Sequence, residues 1–489
     1  MCQSKPTGGR RPARPRPPTP THVYVPDTFD QHVHLPGHLH RHADCARYFL
    51  HRVVWGRVQR RLTLDQYVPV KFDYLRSVIP DRVVKPLKLA LLDAGVVECD
   101  GQYVEGEKAR GYRLRPPHSA ARIVRTRLSD GATADKVRAN RRAEFKRIRL
   151  DVHRHLLGQY RRLEIDLPLA LHLLEGDPDF EVNKIPPQQI AERDWSFSVC
   201  RYGRVHTDLT RCPRAVRPAL RVDGLPLIEI DVANSQPLFL ALLLINHRRQ
   251  GNKTFGYVTF PEKRTNPYSK IDEIVSRTII HFSQREENTI TPLPPLSITT
   301  RMGCDEEEKC LEKPVLVARD NDTDTSRAYQ DILKQDEICF IQLCENGGLY
   351  EDFMDRLELP VRMWVKAQFF EVIYGDNRSR SPLKADFAEV FPNVAEVVRV
   401  HKRKDHGFLP RLMQNIEANF VINTVCRRLM KELPEAPVLT IHDCVLTTPP
   451  YEDAIAGVMR EEFARLGLHP TFHIKRHGGT PQPEQRGQS

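Results

Sequence analysis

Three groups of residues in this chain have the types and spacing for phosphoryl chemistry. Asp231 closes the apolar run Leu-Ile-Glu-Ile-Asp at 227–231. His442 and Asp443 interrupt a β-rich stretch, with Val-Leu-Thr-Ile before them and Cys-Val-Leu-Thr-Thr after. Between these, Arg362, Lys366, Phe370 and Tyr374 recur every fourth residue and end at Gly375. Two carboxylates from separate segments suit two Mg²⁺ ions about 3.5–4 Å apart. One ion would lower the pKa of an attacking hydroxyl, and both would stabilise charge on the reacting phosphoryl group. An Arg fork and a Lys point charge suit a triphosphate, and the two rings would lie near a sugar and base. Alone, each group has an ordinary explanation. A strand-end Asp is commonly a cap, a His-Asp pair is common, and cations on an amphipathic helix are usually just solvated. Their joint presence points to nucleotidyl transfer.

These residues need positioning elements. Ile228, Ile230 and Val232 are β-branched and follow the turn-like Asp223-Gly224-Leu-Pro226, which predicts a strand with Asp231 at its end. The Val232 carbonyl is a further candidate metal oxygen. The apolar run 237–245 predicts a buried helix, far too short to span a bilayer. Residues 438–441 and 445–448 predict a hairpin whose turn, His442-Asp443, is not the usual Asn-Gly or Asp-Gly. Residues 361–375 predict a helix, on which i+4 spacing places Arg362, Lys366, Phe370 and Tyr374 on one face.

The 489-residue chain is long enough for several domains, and its formal net charge of +11 suits a polyanionic partner. Its eleven cysteines are scattered without CxxC pairs, which argues for reduced thiols inside a cell. Cys304 and Cys310 lack nearby histidines, so a zinc site is not expected there. The Pro- and Arg-rich first twenty residues lack the apolar core of a signal peptide. Residues 1–42 and 478–489 are expected to be disordered tails, and 247–336 a polar, partly disordered insertion. Residues 45–116 read as helix followed by a hairpin and resemble a winged-helix module. Its Lys85, Lys88, Lys108 and Arg110 would meet DNA phosphates. Residues 120–165 read as a long basic helix, with Arg141 and Arg142 among its cations, suited to a template-primer backbone. This helix falls in a thumb-like region, 117–194.

Together these blocks resemble the polymerase domain of family A DNA polymerases, the DNA polymerase I class. Asp231 matches that family's motif A aspartate. Arg362, Lys366, Phe370, Tyr374 and Gly375 match motif B without a gap, and His442-Asp443 matches motif C. Tyr202-Gly203-Arg204 resembles the segment before motif A, and Leu412-Met413-Gln414-Asn-Ile-Glu417 the helix before motif C, where Gln414 would face the minor groove. The resemblance covers about 195–477 apart from the insertion. It implies an α+β fold, a right hand with an antiparallel palm sheet (195–246 and 406–477), helical fingers (337–405) and a thumb, preceded by the winged-helix-like unit.

It also implies a DNA-directed DNA polymerase using two Mg²⁺ ions, with dNTPs and a DNA template-primer as partners. Asp231, Val232 and Asp443 would bind metal. Arg362, Lys366, Phe370, Tyr374 and Gln236 would bind nucleotide, and Arg204, Gln414 and His442 would contact DNA. No acidic cluster for a proofreading exonuclease precedes the polymerase region. A cytoplasmic, nucleoid-associated monomer without membrane attachment is expected.

The chain departs from the family in two places. Gln236 stands where motif A has a Glu that gates the sugar, and Cys444 replaces the Glu of motif C. A Gln236→Glu change is therefore expected to sharpen selection of dNTPs. Two alternatives stay open: a primase-like or RNA-synthesising enzyme on the same palm, and a DNA-binding replication initiator with a degenerate palm. Single-subunit phage-type RNA polymerases share this palm but carry Met where Phe370 stands, which favours the DNA enzyme.

Overall fold

The computed structural model describes residues 21–104, 108–146, 148, 150–249 and 332–477. The chain is α+β, with several small antiparallel sheets among many helices. It divides into two compact units, one formed by residues up to 146 with 175–185, the other by 147–174 with 186 onward. Among the described residues, no helix is long and apolar enough to cross a membrane.

In the first unit, helix Ala43–Arg60 is buried along most of its length. A strand Val68–Pro69, helices Phe72–Arg76 and Asp81–Asp93, and strands Val97–Cys99 and Gly111–Leu114 follow it. Gly111–Leu114 lies between the other two strands, antiparallel to both. Val83, Val84, Leu87 and Leu91 are the buried stripe of Asp81–Asp93. That helix stops at Gly95, which takes the positive φ (67°) that a left-handed C-terminal residue needs.

Two sequence expectations change here. The tail expected over 1–42 already has structure at its C-terminal end, whereas residues 1–20 lie outside the described residues. His22–Pro26 pairs antiparallel with Ile123–Arg127. Val23, Tyr24 and Val25 are buried, and the Tyr24 ring stacks on Trp55 at 6.4 Å. The Pro-, Arg- and His-rich composition masked a five-residue strand whose apolar side chains suffice to order it.

The single basic helix over 120–165 is instead a strand, Ile123–Arg127, then helices Gly131–Lys146 and Asp151–Tyr160. β-Branched Ile123, Val124 and Thr126 favour the strand. The Asp130 carboxylate then caps a new helix by accepting from the backbone N–H groups of Ala132 and Thr133. The expected thumb-like region 117–194 is thus shared between the two units.

The second unit contains a four-stranded antiparallel sheet ordered Leu439–Ile441, Cys444–Thr447, Ile228–Val232, Phe472–Arg476. Ile228, Ile230 and Val232 are buried, and strand alternation turns Glu229 and Asp231 to the opposite face. Helix Ser235–Arg249 follows, and its residues Leu238 to Ile245 are buried without exception. A helical group comprises Gln335–Glu345, Leu349–Arg356, Arg362–Tyr374, Pro382–Val390 and Pro392–His401. Phe340, Phe353, Phe369, Phe387 and Phe391 form its aromatic core. Helix Phe408–Ala418 continues as a π-helical stretch, Asn419–Cys426. Apart from its first and last few residues, the insertion expected at 247–336 lies outside the described residues.

Candidate active site

Asp231 sits one residue from the end of its strand, between the hairpin strand Cys444–Thr447 and the edge strand Phe472–Arg476. The pairing of Ile230 with Val445 sets a register that carries Asp231 toward the hairpin turn. That turn is His442-Asp443, and His442 adopts φ of 58°, a conformation few non-glycine residues tolerate. Strand pairing brings this turn close enough for the Asp443 charge to act on Asp231. Burial, and after it the Asp443 charge, push Asp231 up to about 6, against the pull of Arg214, whose guanidinium lies 4.0 Å away. Glu229 is buried on the same face. Burial raises its carboxyl, but a 2.6 Å contact with His477 and an ion pair with Arg217 outweigh that and hold it below its ordinary value.

The predicted helix forms as Arg362–Tyr374. Val365, Phe369, Val372 and Ile373 are its buried face, so Arg362 and Lys366 project outward and are exposed, with Phe370 and Tyr374 half-buried. The four residues form a ladder. Arg362 donates to Glu351 and lies over the Tyr350 ring at 5.0 Å. Lys366 Nζ is 5.9 Å from the Phe370 centroid, and the Phe370 and Tyr374 rings meet edge to face at 5.5 Å. Gly375 lets the chain leave the helix, since a Cβ there would sit 2.6 Å from the Glu371 carbonyl oxygen. Lys402, which sequence reasoning missed, pins this end by donating to the carbonyls of Val372 (2.6 Å) and Gly375 (2.9 Å). Burial lowers its pKa to about 8, and a cation suits a helix C-terminus.

A part-buried relay joins this helix to helices Ser235–Arg249 and Phe408–Ala418. The Tyr374 hydroxyl donates to Gln236 Oε1 at 2.7 Å. The Gln236 amide nitrogen donates to the Glu417 carboxylate. Arg204 holds the same carboxylate with two bonds, Nε at 2.9 Å and Nη2 at 2.7 Å. Burial pushes Glu417 up to about 7, Arg204 pulls it down, and the Asp443 charge raises it further. Burial also pushes Tyr374 up to about 12, with Arg204 opposing and Glu417 and Asp443 adding to the rise. Asp443 therefore acts electrostatically on Asp231, Glu417 and Tyr374 alike.

The sequence-predicted residues thus fall into three sets. Asp231, Asp443, Gln236, Phe370 and Tyr374 converge, and Arg362 and Lys366 extend from them along the helix. Arg204 belongs to the same place in a different role: its fork, expected on DNA, is spent on buried Glu417. Gln414 lies one helical turn before Glu417, half-buried, and it is Glu417 that reaches Gln236. His442 is half-buried, its ring 6.0 Å from that of His206. Burial lowers His206 to about 4, which keeps it neutral.

The third set, Lys85, Lys88, Arg141 and Arg142, belongs to the first unit. Lys85 and Arg142 are exposed there. Lys88 lies 5.7 Å from the Phe72 centroid, and Arg141 reaches the His22 carbonyl at 3.5 Å. Glu417 and Arg214 carried no spacing signal of their own, although Glu417 ends the segment that resembles the helix before motif C.

Among the described residues, no group of three or more His, Cys, Asp and Glu side chains is arranged to hold a metal ion. Mg²⁺, however, commonly takes one or two carboxylates and completes its shell with water and substrate phosphates. A pair of carboxylates whose charges oppose each other fits that pattern. Comparison with known proteins finds no family model and no curated protein that matches this chain.

Proposed function

We propose that this protein is a template-directed DNA polymerase that transfers nucleotidyl groups from dNTPs to a primer 3′-hydroxyl. One observation carries the reading: the strand carboxylate Asp231 and Tyr374, the last aromatic of a cationic helix, converge on the hairpin carboxylate Asp443. Asp231 and Asp443, joined by the Val232 carbonyl, would hold two Mg²⁺ ions, which supply charge stabilisation at the phosphoryl group and activate the hydroxyl. Lys366 and Arg362 bind the triphosphate along the exposed face of their helix, and Lys366 offsets charge growing on the departing pyrophosphate. Phe370 and Tyr374 form the wall for base and sugar.

The antiparallel sheet, the helical group and the carboxylate positions support a palm and fingers arrangement. In the first unit, helix–strand–helix–helix–hairpin order and the central place of Gly111–Leu114 support a winged-helix reading. Lys85, Lys88, Arg141 and Arg142 would there meet the phosphates of a DNA template-primer, with Gln414 and His442 near the primer end. We assign a monomer acting at the nucleoid.

A second reading, RNA synthesis on the same framework, is favoured by one feature, the amide of Gln236 in place of a carboxylate. Primer extension by the purified chain, with dNTPs and NTPs offered separately and with Asp231→Asn and Asp443→Asn as controls, decides between them. Extension from dNTPs that both variants lose supports the proposal. Extension from NTPs alone transfers it to the second reading, and extension that survives in either variant removes the site.

A further inference from the structure

Gln236 spans a gap between two groups of opposite hydrogen-bonding character. On one side is Glu417, 1 % exposed, whose two oxygens accept three N–H bonds, two from Arg204 and one from Gln236. On the other is the Tyr374 hydroxyl, which donates to the Gln236 carbonyl. Arg204 donates to both Glu417 oxygens, which makes Glu417 an acceptor towards its neighbours, so it fixes which end of the amide faces it. The Gln236 nitrogen must point to Glu417, and its oxygen must then point to Tyr374. The Tyr374 ring is held at its edge by Phe370 and at its hydroxyl by Gln236, so its position follows from Glu417.

We infer that Glu417 is a positioning residue which, through the Gln236 amide, holds Tyr374 as the wall that selects deoxyribonucleotides over ribonucleotides. This rests on the proposed polymerase reading, in which the nucleotide sugar lies against Tyr374. The carboxylate that fixes the wall lies on the Phe408–Ala418 helix and not at position 236, which must be an amide. A glutamate at 236 would press a second carboxylate against Glu417 in a buried site where a single N–H···O⁻ bond now stands, and like charges so placed are costly. The structure therefore reverses the expectation that Gln236→Glu sharpens selection. In Glu417→Gln the amide at 236 is no longer oriented, because both of its neighbours can then donate or accept. Tyr374 loses its fixed partner, and room opens for a 2′-hydroxyl.

Four proteins test this: the wild type, Glu417→Gln, Gln236→Glu and the exchange Gln236→Glu/Glu417→Gln. The exchange restores one carboxylate and one amide in contact, with the Tyr374 hydroxyl donating to Glu and the new Gln accepting from Arg204. Two quantities are read, the ratio of kcat/KM for dNTP to that for NTP, and the thermal midpoint of the protein without substrate. Glu417→Gln is expected to lower the ratio about tenfold, the worth of one charge-assisted hydrogen bond. Gln236→Glu is expected to lower both the midpoint and dNTP extension, and the exchange to recover most of each loss. The inference is overturned if Gln236→Glu is as stable and selective as the wild type, or if the exchange is no better than Gln236→Glu alone. A merely structural Glu417 would change the midpoint and leave the ratio alone, which also overturns it. A wild type that extends nothing defeats the polymerase reading instead, and the midpoints still decide whether position 236 must be an amide.

Discussion

The carboxylate site of the second unit and the cationic surface of the first use charge in opposite ways. Around Asp443, charged groups are tied in place: Arg204 to Glu417, Glu417 to Gln236, Gln236 to Tyr374, and Glu229 to Arg217 and His477. These contacts are buried or part-buried, where a hydrogen bond is stronger than in water and a displaced partner is expensive. In the first unit, Lys85 and Arg142 stand in solvent, and Lys88 rests on a ring. Such cations act through a field that salt screens and that tolerates movement. The lesson is that chemistry at a reacting atom demands fixed geometry, whereas attraction of a polyanion demands only charge of the right sign. Substitutions in the first region should therefore act steeply and individually, those in the second mildly and in sum.

The largest effect is expected at the carboxylates. Asp231→Asn or Asp443→Asn should lower primer extension at least about a thousandfold, roughly 4 kcal/mol of barrier, while DNA binding measured by fluorescence anisotropy stays near wild type. A loss of only a few fold in steady-state extension would place the chemistry elsewhere.

Next comes the cationic helix. Lys366→Ala should reduce kcat/KM for the nucleotide by about a hundredfold, ~2.7 kcal/mol, with kcat falling as well as KM rising, because the charge it meets grows in the transition state. If both constants stay within about twofold, the triphosphate does not lie on this face.

The third prediction concerns pH in metal-free protein. The Asp231 pKa is about 6 in the folded chain against its ordinary 3.8, so between those values the folded state binds more protons than the unfolded one. Stability contributed by this group is thus present at low pH and lost as pH rises through about 6. In EDTA, Asp231→Asn should accordingly melt higher than wild type at pH 7.5, by about 2 °C or more. The gap should close as pH falls toward 4. Mg²⁺ should raise the wild-type midpoint and not that of the variant. A wild type that melts higher than the variant at pH 7.5 without metal would show that neither burial nor the Asp443 charge burdens Asp231.

The smallest effect belongs to the first unit. Lys85→Ala and Arg142→Ala should each weaken DNA binding about equally for all sequences, and each should reduce the slope of log affinity against log salt by about one. A change in sequence preference, or an unchanged slope, would mean that these cations do not meet phosphates.

Local patterns were legible in the chain because they depend on neighbours a few residues apart. Alternation of β-branched residues marked the strand that carries Asp231. The i+4 spacing marked the face of Arg362–Tyr374. Long composition windows served less well. They hid the strand His22–Pro26 inside a Pro- and His-rich segment, and merged a strand and two helices into one basic helix. The order Asp231, then Arg362 to Tyr374, then Asp443, with the chemistry those residue types permit, was therefore determined by the sequence alone.

Which groups meet was decided only by the tertiary structure. Tyr374 and Gln236 are 138 residues apart in the chain, Gln236 and Glu417 181, and Arg204 and Glu417 213. No periodicity reaches over such distances. Strand register and helix packing bring these side chains together, and burial then gives their hydrogen bonds the strength to hold a tyrosine in place. The same register set the edge strand Phe472–Arg476 beside Asp231, buried its carboxyl and brought the Asp443 charge against it, and so raised the pKa of a group that its neighbours in the chain would have left ordinary.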